Sequence, residues 1–238
     1  DFYLIWNQFT LFNFKKYWGN LDFPLIEVGY RRIDEILKSF KNHDEISRVK
    51  NSINNDFFQK STKCINVLVT LPRFKDQSQF ISDFKNLNYF LNGMKIAIEM
   101  YSHKINFIFR SKGIMVQPIE AEKRFFESKN IVIHDTRKYK TTDLIIWSDY
   151  VIASNGSGVI TEACLLNRQV LTFDFIDGIH NIWSFFGKDM CLRSKEELLN
   201  VIKNIANKKS LAINRANLEK MIISEKNKLP LSQLIPKS

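Results

Sequence analysis

Several residue types are scarce in this chain of 238 residues, and each scarcity argues against a class of protein. Glycine and proline number only 8 and 5, too few for a collagen-like repeat or a low-complexity disordered chain. Three widely spaced cysteines, Cys64, Cys164 and Cys191, do not make a disulfide framework, so we expect reduced, buried thiols. No apolar run reaches the roughly 20 residues that a membrane-spanning helix needs. We therefore expect a globular cytoplasmic protein, with peripheral association at the inner face of the membrane left open.

Acidic residues are also scarce relative to basic ones, and the imbalance favours anionic partners. Lysine and arginine total 35 against 25 for aspartate and glutamate, a formal net charge of +10 at pH 7. The basic residues are dispersed, without zinc-finger spacing, a basic helix or an aromatic RNA-binding motif, so we expect no nucleic-acid partner. His, Cys, Asp and Glu do not recur at metal-ligand spacing, so we predict neither a metal site nor a bound cofactor.

The segment from Tyr150 to Asp174 has the pattern of a β–α–β unit with two parallel strands. A short apolar strand leads into a turn of small residues, Ser154, Asn155, Gly156, Ser157 and Gly158, and then into a helix and a second strand. Backbone N–H groups and the helix dipole at such a turn suit an anion such as phosphate. The two glycines do not complete the dinucleotide-binding fingerprint, because no third glycine has the required spacing.

Glu162 lies one helical turn beyond the small-residue turn, and its position allows two interpretations. Its carboxylate could accept hydrogen bonds from vicinal hydroxyls, such as those of a ribose. Alternatively, it is a first-turn acid that complements the helix dipole and caps the helix. The residues alone favour neither interpretation.

Basic residues follow two further predicted strands of the same α/β pattern. The near-continuously apolar run Ile65–Leu71 predicts a buried parallel strand, and Arg73 comes directly after it. A second strand, 104–109, is followed by Arg110 and Lys112. In open α/β sheets ligands bind outside the carboxyl ends of the strands. The three cations are therefore candidate phosphate contacts, with solvated loop charges as the alternative.

Alternation of strands and helices predicts an α/β fold with a doubly wound parallel sheet of the Rossmann-like type. Amphipathic spacing predicts a long helix over 78–102, and capping patterns predict helices beginning at Thr141 and after Ser194. We assign 1–40 to the end of a preceding domain and its crossover, 41–230 to the main domain, and 231–238 to a polar tail. The sequence begins at Asp1 in what reads as the middle of a fold, so we expect a longer native chain.

The turn Ser154–Gly158, continuing through Thr161-Glu162-Ala163 and followed by Arg168-Gln169-Val170-Leu171, resembles the donor-binding half of GT-B glycosyltransferases. It is most similar to the branch of surface-polysaccharide enzymes that includes CDP-glycerol glycerophosphotransferases and Kdo transferases. The resemblance implies that the turn holds the donor phosphates and that Glu162 binds the ribose. Asn167 stands where relatives often have glycine, and asparagine tolerates the same left-handed conformation. At 110–112 the chain has Arg-Ser-Lys where many relatives have a basic step ending in His-Pro, so it departs from the family pattern there.

The resemblance further implies an enzyme that transfers a sugar or polyol phosphate in surface-polysaccharide or capsule biosynthesis. Its partners would be a nucleotide-sugar or CDP-polyol donor and a glycan or lipid-linked acceptor. No catalytic residue is assigned, because the base in these enzymes usually comes from the other domain. We expect this piece to bind a nucleotide and to transfer poorly. Two alternatives stay open: a nucleotide-sugar 2-epimerase of the same fold, using Asp174 and His180, and a basic non-catalytic binding module.

Overall fold

The fold was analysed in a computed structural model of the chain. It describes residues 3–5, 10–12, 15, 19, 24–27, 43–58, 64–71, 81–111, 132–134, 138–154, 157–174, 186–187, 189–213 and 216. The strands are β1 (Tyr3–Ile5), β2 (Leu25–Glu27), β3 (Ile65–Leu71), β4 (Ile105–Ser111), β5 (Val132–His134), β6 (Tyr150–Ser154), β7 (Gln169–Phe173) and β8 (Cys191–Leu192). The helices are α1 (His43–Phe57), α2 (Ile81–Tyr101), α3 (Thr141–Trp147), α4 (Val159–Leu165) and α5 (Lys195–Ala206).

Six strands form one parallel sheet in the order β5-β4-β3-β6-β7-β8. The chain builds outward from β3 in one direction and then resumes from β6 in the other, so the strand order reverses between these two neighbours. This arrangement is the doubly wound, Rossmann-like sheet predicted from the sequence. Ligands in such sheets bind at the carboxyl edge beside the reversal. Strands β1 and β2 pair in a separate two-stranded parallel sheet.

Both faces of the sheet are covered, which explains why its strands are apolar at successive positions. Side chains alternate between the faces along each strand. One face, which includes Leu68 and Val151, packs against α1, α3 and α4. The opposite face, which includes Val67 and Ile152, packs against α2 and α5. Thr70 and Arg110 fall on the first face, because they lie two residues beyond Leu68 and Ile108 in the same register.

Helix α2 packs closely on α5 because one of its contact positions is a glycine. A Cβ atom added at Gly93 would lie 2.8 Å from Cδ2 of Leu198, which is buried in α5. The predicted apolar stripe of α2 is confirmed at Leu87, Phe90, Leu91, Met94 and Ile98. The prediction was wrong for Met100, which is 51% exposed. The half-buried Tyr101, three residues after Ile98, continues the stripe instead.

Two asparagines form a hydrogen-bonded pair inside the sheet, near the amino ends of β3 and β4. Asn106 Nδ2 donates to Asn66 Oδ1 at 3.0 Å, and Asn66 Nδ2 donates to the carbonyl of Trp147 at 3.3 Å. The backbone N–H of Asn66 donates to Asp149 Oδ2 at 3.0 Å. Both asparagines are buried, so their polar groups are matched within the protein.

Several local predictions are confirmed in detail. Helix α3 begins at Thr141 as expected. Asn167 adopts the left-handed conformation with φ of 58°. Ser194 caps α5 by accepting a hydrogen bond from the N–H of Glu197 at 3.1 Å. The predicted domain boundaries stay predictions. Within the described ranges, no helix combines the length and hydropathy needed to cross a membrane.

Candidate functional site

The carboxyl edge of the two central strands brings together polar groups of unusual burial. Thr70 of β3 lies opposite Arg110 of β4 on one side and opposite Ala153 of β6 on the other. Arg110, Thr70 and Ala153 therefore lie side by side on β4, β3 and β6, and the strand order reverses between β3 and β6. Thr70 and Arg110 are only 6% and 8% exposed, although each precedes the last residue of its strand.

Arg110 is a buried cation with an incomplete set of hydrogen bonds. Its Nη1 donates to the backbone carbonyl of Tyr139 at 2.9 Å. Its Nε is buried and has no hydrogen-bond partner in the described part of the chain. Burial lowers the pKa of the Arg110 guanidinium, while the nearby carboxylates of Asp143 and Glu162 act in the opposite direction and raise it. The guanidinium thus lies near two acidic side chains and keeps one donor unused.

Thr70, which lies opposite Arg110 on the neighbouring strand, also has a buried polar atom without a hydrogen bond from the described residues. Its Oγ1 is buried and likewise finds no hydrogen-bond partner among the residues that the structure describes. Leaving a buried donor or acceptor unsatisfied costs about 1–3 kcal/mol, and such groups are rare in folded proteins. Thr70 and Arg110 carry two such groups at paired positions of adjacent strands, at the edge where ligands bind in sheets of this kind. They indicate a site that is completed by a polar group of a bound ligand.

Glu162 is an acidic side chain in the neighbourhood of Arg110. It lies on α4 and is only 5% exposed. Its carboxylate is close enough to Arg110 to raise the pKa of the guanidinium. A buried carboxylate near a buried guanidinium, with further donors unused, can hold a ligand that carries both hydroxyl groups and anionic oxygens.

The small-residue turn is closed more tightly by its own backbone than the sequence predicts. The N–H of Ser157 donates to the carbonyl of Ser154, and the N–H of Ile160 donates to the carbonyl of Ser157, both at 3.1 Å. These two N–H groups are therefore engaged within the turn. Helix α4 is only seven residues long, so its dipole is correspondingly small. Phosphate binding by the turn remains a prediction, and Asn155 and Gly156 lie outside the described residues.

Gly158 is not required by the backbone conformation of the turn. It adopts a right-handed conformation, with φ of −60° and ψ of −19°, that any residue can reach. Among the described residues, a Cβ atom placed there would meet no atom within 4 Å. Those residues therefore leave room for a side chain at 158.

The remaining predicted site residues are only partly placed. Arg73 and Lys112 lie outside the described residues, so their phosphate contacts stay predictions. Asp174, suggested for the epimerase alternative, is 4% exposed at the end of β7, whereas His180 is not described. In the described ranges no group of three or more His, Cys, Asp or Glu side chains is arranged to hold a metal ion.

Three contributors to the site were missed by the sequence reasoning: Thr70, Tyr139 and Asp143. Thr70 lies within the apolar run that predicts β3, and no sequence motif marks Tyr139. The available signal was a hydroxyl at the last position but one of a buried strand, where ligands approach. Asp143 was noted only within a capped helix, and its Oδ2 does accept the N–H of Lys140 at 2.9 Å.

Solved structures of other proteins have a similar fold. The wall teichoic acid polymerase TagF, in a structure with CDPG, matches 93% of this chain with a TM-score of 0.54 and 14% sequence identity. The chain has the Rossmann-like α/β fold of one GT-B domain. This GT-B domain also matches the Staphylococcus aureus MnaA–UDP structure over 83% of its length, with a TM-score of 0.53 and 14% identity. The N-terminal domain of Candida albicans trehalose-6-phosphate phosphatase matches 89% of it, with a TM-score of 0.57 and 11% identity.

These matches show the fold and not the activity, because the identities are low. The GT-B domain spans about half the length of the proteins it matches: 52% of TagF, 50% of MnaA and 48% of the phosphatase chain. No family model matches the sequence, and no curated protein does. The GT-B resemblance drawn from the small-residue turn and Glu162 is therefore confirmed at the level of the fold.

Proposed function

We propose that this chain is the nucleotide-donor-binding domain of a GT-B transferase that moves a sugar or polyol phosphate from an activated nucleotide. The observation that carries the proposal is the buried pair Thr70 Oγ1 and Arg110 Nε, both unpartnered within the described residues. The pair lies at the carboxyl edge beside the reversal of strand order, with the Glu162 carboxylate nearby.

The chemistry of a nucleotide diphosphate complements this set of groups. Its phosphate oxygens and base carbonyls accept hydrogen bonds, and its ribose hydroxyls donate them. In the proposal, Arg110 and Thr70 donate to the acceptor atoms and Glu162 accepts from the ribose. A fixed guanidinium also stabilises the charge that develops on a departing nucleotide phosphate, without a nucleophilic side chain from this domain.

The comparisons support the donor class without identifying the donor. TagF is a wall teichoic acid polymerase whose structure was determined with CDPG, and the MnaA structure was determined with UDP. By this likeness the proposed donor is a nucleotide-sugar or CDP-polyol, and the proposed pathway is surface-polysaccharide biosynthesis. A glycan or lipid-linked acceptor and peripheral attachment to an anionic membrane belong to the same proposal, since the chain carries a net charge of +10.

A nucleotide-sugar epimerase is the second candidate function. Asp174 favours it, because a buried carboxylate at the carboxyl end of β7 can take part in proton transfer at a bound sugar. An epimerase would convert a nucleotide sugar in the absence of any acceptor. Incubating the chain with nucleotide sugars alone, and analysing the products, separates the two candidates.

The test of the proposal is a binding panel on the whole 238-residue chain. CDP, UDP, GDP and their sugar or glycerol conjugates are titrated by calorimetry and by thermal shift. A ligand that binds the native state raises the melting temperature, and the stabilisation is about 2.7 kcal/mol at 100 times the Kd. We expect one nucleotide base to be preferred. Failure of every nucleotide to bind would refute the proposal.

The role of Glu162 is tested by comparing each ribonucleotide with its 2′-deoxy form. The wild type should prefer the ribonucleotide, and Glu162→Gln should reduce or abolish that preference. Glu99→Gln is the matched control, because Glu99 is exposed on α2. A preference that survives Glu162→Gln would show that Glu162 serves the helix and not the ribose. Salt-sensitive binding that ignores both the base and Glu162 would favour the basic binding module.

A further inference from the structure

The segment before α3 is tied to helix α1 through the side chain of Tyr139. The Tyr139 hydroxyl donates to Asp56 Oδ2 and lies 2.8 Å from the hydroxyl of Ser52. The Tyr139 ring meets Phe57 edge-on, with ring centroids 5.8 Å apart. Lys138 pairs with the same Asp56 carboxylate at 2.8 Å. The last two turns of α1 therefore hold Tyr139 by hydrogen bonds and a ring contact, and hold the adjacent Lys138 by an ion pair.

The backbone of Tyr139 faces the candidate site and is held from both sides of one peptide unit. Its carbonyl accepts the hydrogen bond from Arg110 Nη1 at 2.9 Å. The N–H of the same peptide unit belongs to Lys140, and it donates to Asp143 Oδ2 at 2.9 Å. Because a peptide unit is planar and rigid, fixing its N–H also fixes the direction of its carbonyl. The peptide thus sets where the Arg110 guanidinium is held.

We infer that Tyr139 is a positioning residue for nucleotide binding: it transmits the placement of α1 to Arg110 through the Tyr139–Lys140 peptide. The inference rests on the proposed function for its readout and on these contacts for its geometry. With the hydroxyl anchored to Asp56, the carbonyl holds Nη1 while Nε keeps its donor unused. Without that anchor the peptide is oriented from the Asp143 side alone, so its carbonyl holds the guanidinium less firmly.

The decisive variant is Tyr139→Phe, which removes the hydroxyl and keeps the ring contact with Phe57. We expect the Kd for the preferred nucleotide to rise by on the order of tenfold. Asp56→Asn should act in the same direction, since it weakens the same anchor from the α1 side. Tyr89→Phe is the matched control, because Tyr89 is 58% exposed on α2. It should leave the Kd unchanged.

A double-mutant cycle distinguishes positioning from general loss of structure. If Tyr139 acts through Arg110, the tenfold effect of Tyr139→Phe disappears in the Arg110→Met background. An equal loss of affinity in both backgrounds, or no loss in the wild-type background, overturns the inference. Any change in melting temperature without nucleotide should persist in both backgrounds, because it does not pass through the guanidinium.

A readout without nucleotide separates this inference from the proposed function. The Nε–H resonance of Arg110 in a nitrogen-edited NMR spectrum should shift in Tyr139→Phe and stay in place in Tyr89→Phe. If it shifts while no nucleotide binds the wild type, Tyr139 positions Arg110 but the proposed function is wrong. If it does not shift although the wild type binds nucleotide, the inference about Tyr139 is wrong and the proposed function stands.

Discussion

Replacing Arg110 with methionine separates a ligand-binding cation from a structural one. Without ligand, Arg110→Met loses the charge-assisted hydrogen bond to Tyr139, worth about 1.5–3 kcal/mol. It also removes a buried donor with no partner in the described residues, a cost of about 1–3 kcal/mol. Methionine is flexible enough to fill most of the space that the guanidinium leaves. These opposing effects should leave the free energy of unfolding within about 2 kcal/mol of the wild type.

In the nucleotide complex, no gain offsets the contacts that Arg110→Met loses. There the variant loses a charged donor to the ligand, worth about 1.5–3 kcal/mol, so the Kd should rise roughly 10- to 150-fold. Urea unfolding measures the first quantity and calorimetric titration the second. Arg48→Met is the control. Arg48 is exposed on α1, and it lies 3.8 Å from Glu45 in a surface ion pair that contributes little to stability. A fall of 3 kcal/mol or more in unfolding free energy (on the order of a broken buried charge pair), with an unchanged Kd, would refute the reasoning.

Three further predictions concern stability. Gly93→Ala should lower the melting temperature, because its Cβ lies 2.8 Å from Leu198 Cδ2; in a Leu198→Ala background it should stabilise, by up to about 1 kcal/mol of helix propensity. Ser194→Ala should cost about 0.5–2 kcal/mol in urea unfolding through the lost cap of α5, and Ser194→Asp should retain most of it. Hydrogen bonds from the neighbouring lysine and tyrosine hold the pKa of Asp56 below its ordinary value. Its contribution is therefore present above the unfolded pKa of about 3.9 and is lost as pH falls through the lower folded pKa, so Asp56→Asn should be less stable than wild type at pH 7 and should approach it in acid. An equal difference at both pH values would contradict that assignment.

The sheet was largely predictable because its signal is local. Within the run Ile65–Leu71, three consecutive residues at 67–69 are apolar, and a strand covered on both faces shows this pattern. The small-residue turn after Ala153 and the left-handed Asn167 were equally readable, since turn chemistry depends on neighbouring residues. Together these features led to the prediction of a parallel α/β sheet and to the GT-B resemblance.

The functional groups were less predictable because they depend on contacts between distant segments. Thr70 becomes a candidate ligand-binding residue only because β4 places Arg110, which is 40 residues further along the chain, beside it. Tyr139 becomes relevant only because its hydroxyl donates a hydrogen bond to Asp56, which lies 83 residues earlier in the chain. Residues 41–63 carry no recognisable motif in the sequence, and neither propensity nor periodicity indicates that α1 anchors a peptide next to the site.

The paired amides of Asn66 and Asn106 have a consequence for how the sheet assembles. A two-residue slip between β3 and β4 would leave the apolar side chains on their proper faces, so hydrophobic pattern alone does not exclude it. That slip would separate the amides and leave buried polar groups unmatched. The two asparagines therefore act against mispaired folding intermediates, and replacing both with valine should yield a protein that refolds more heterogeneously while retaining its hydrophobic core.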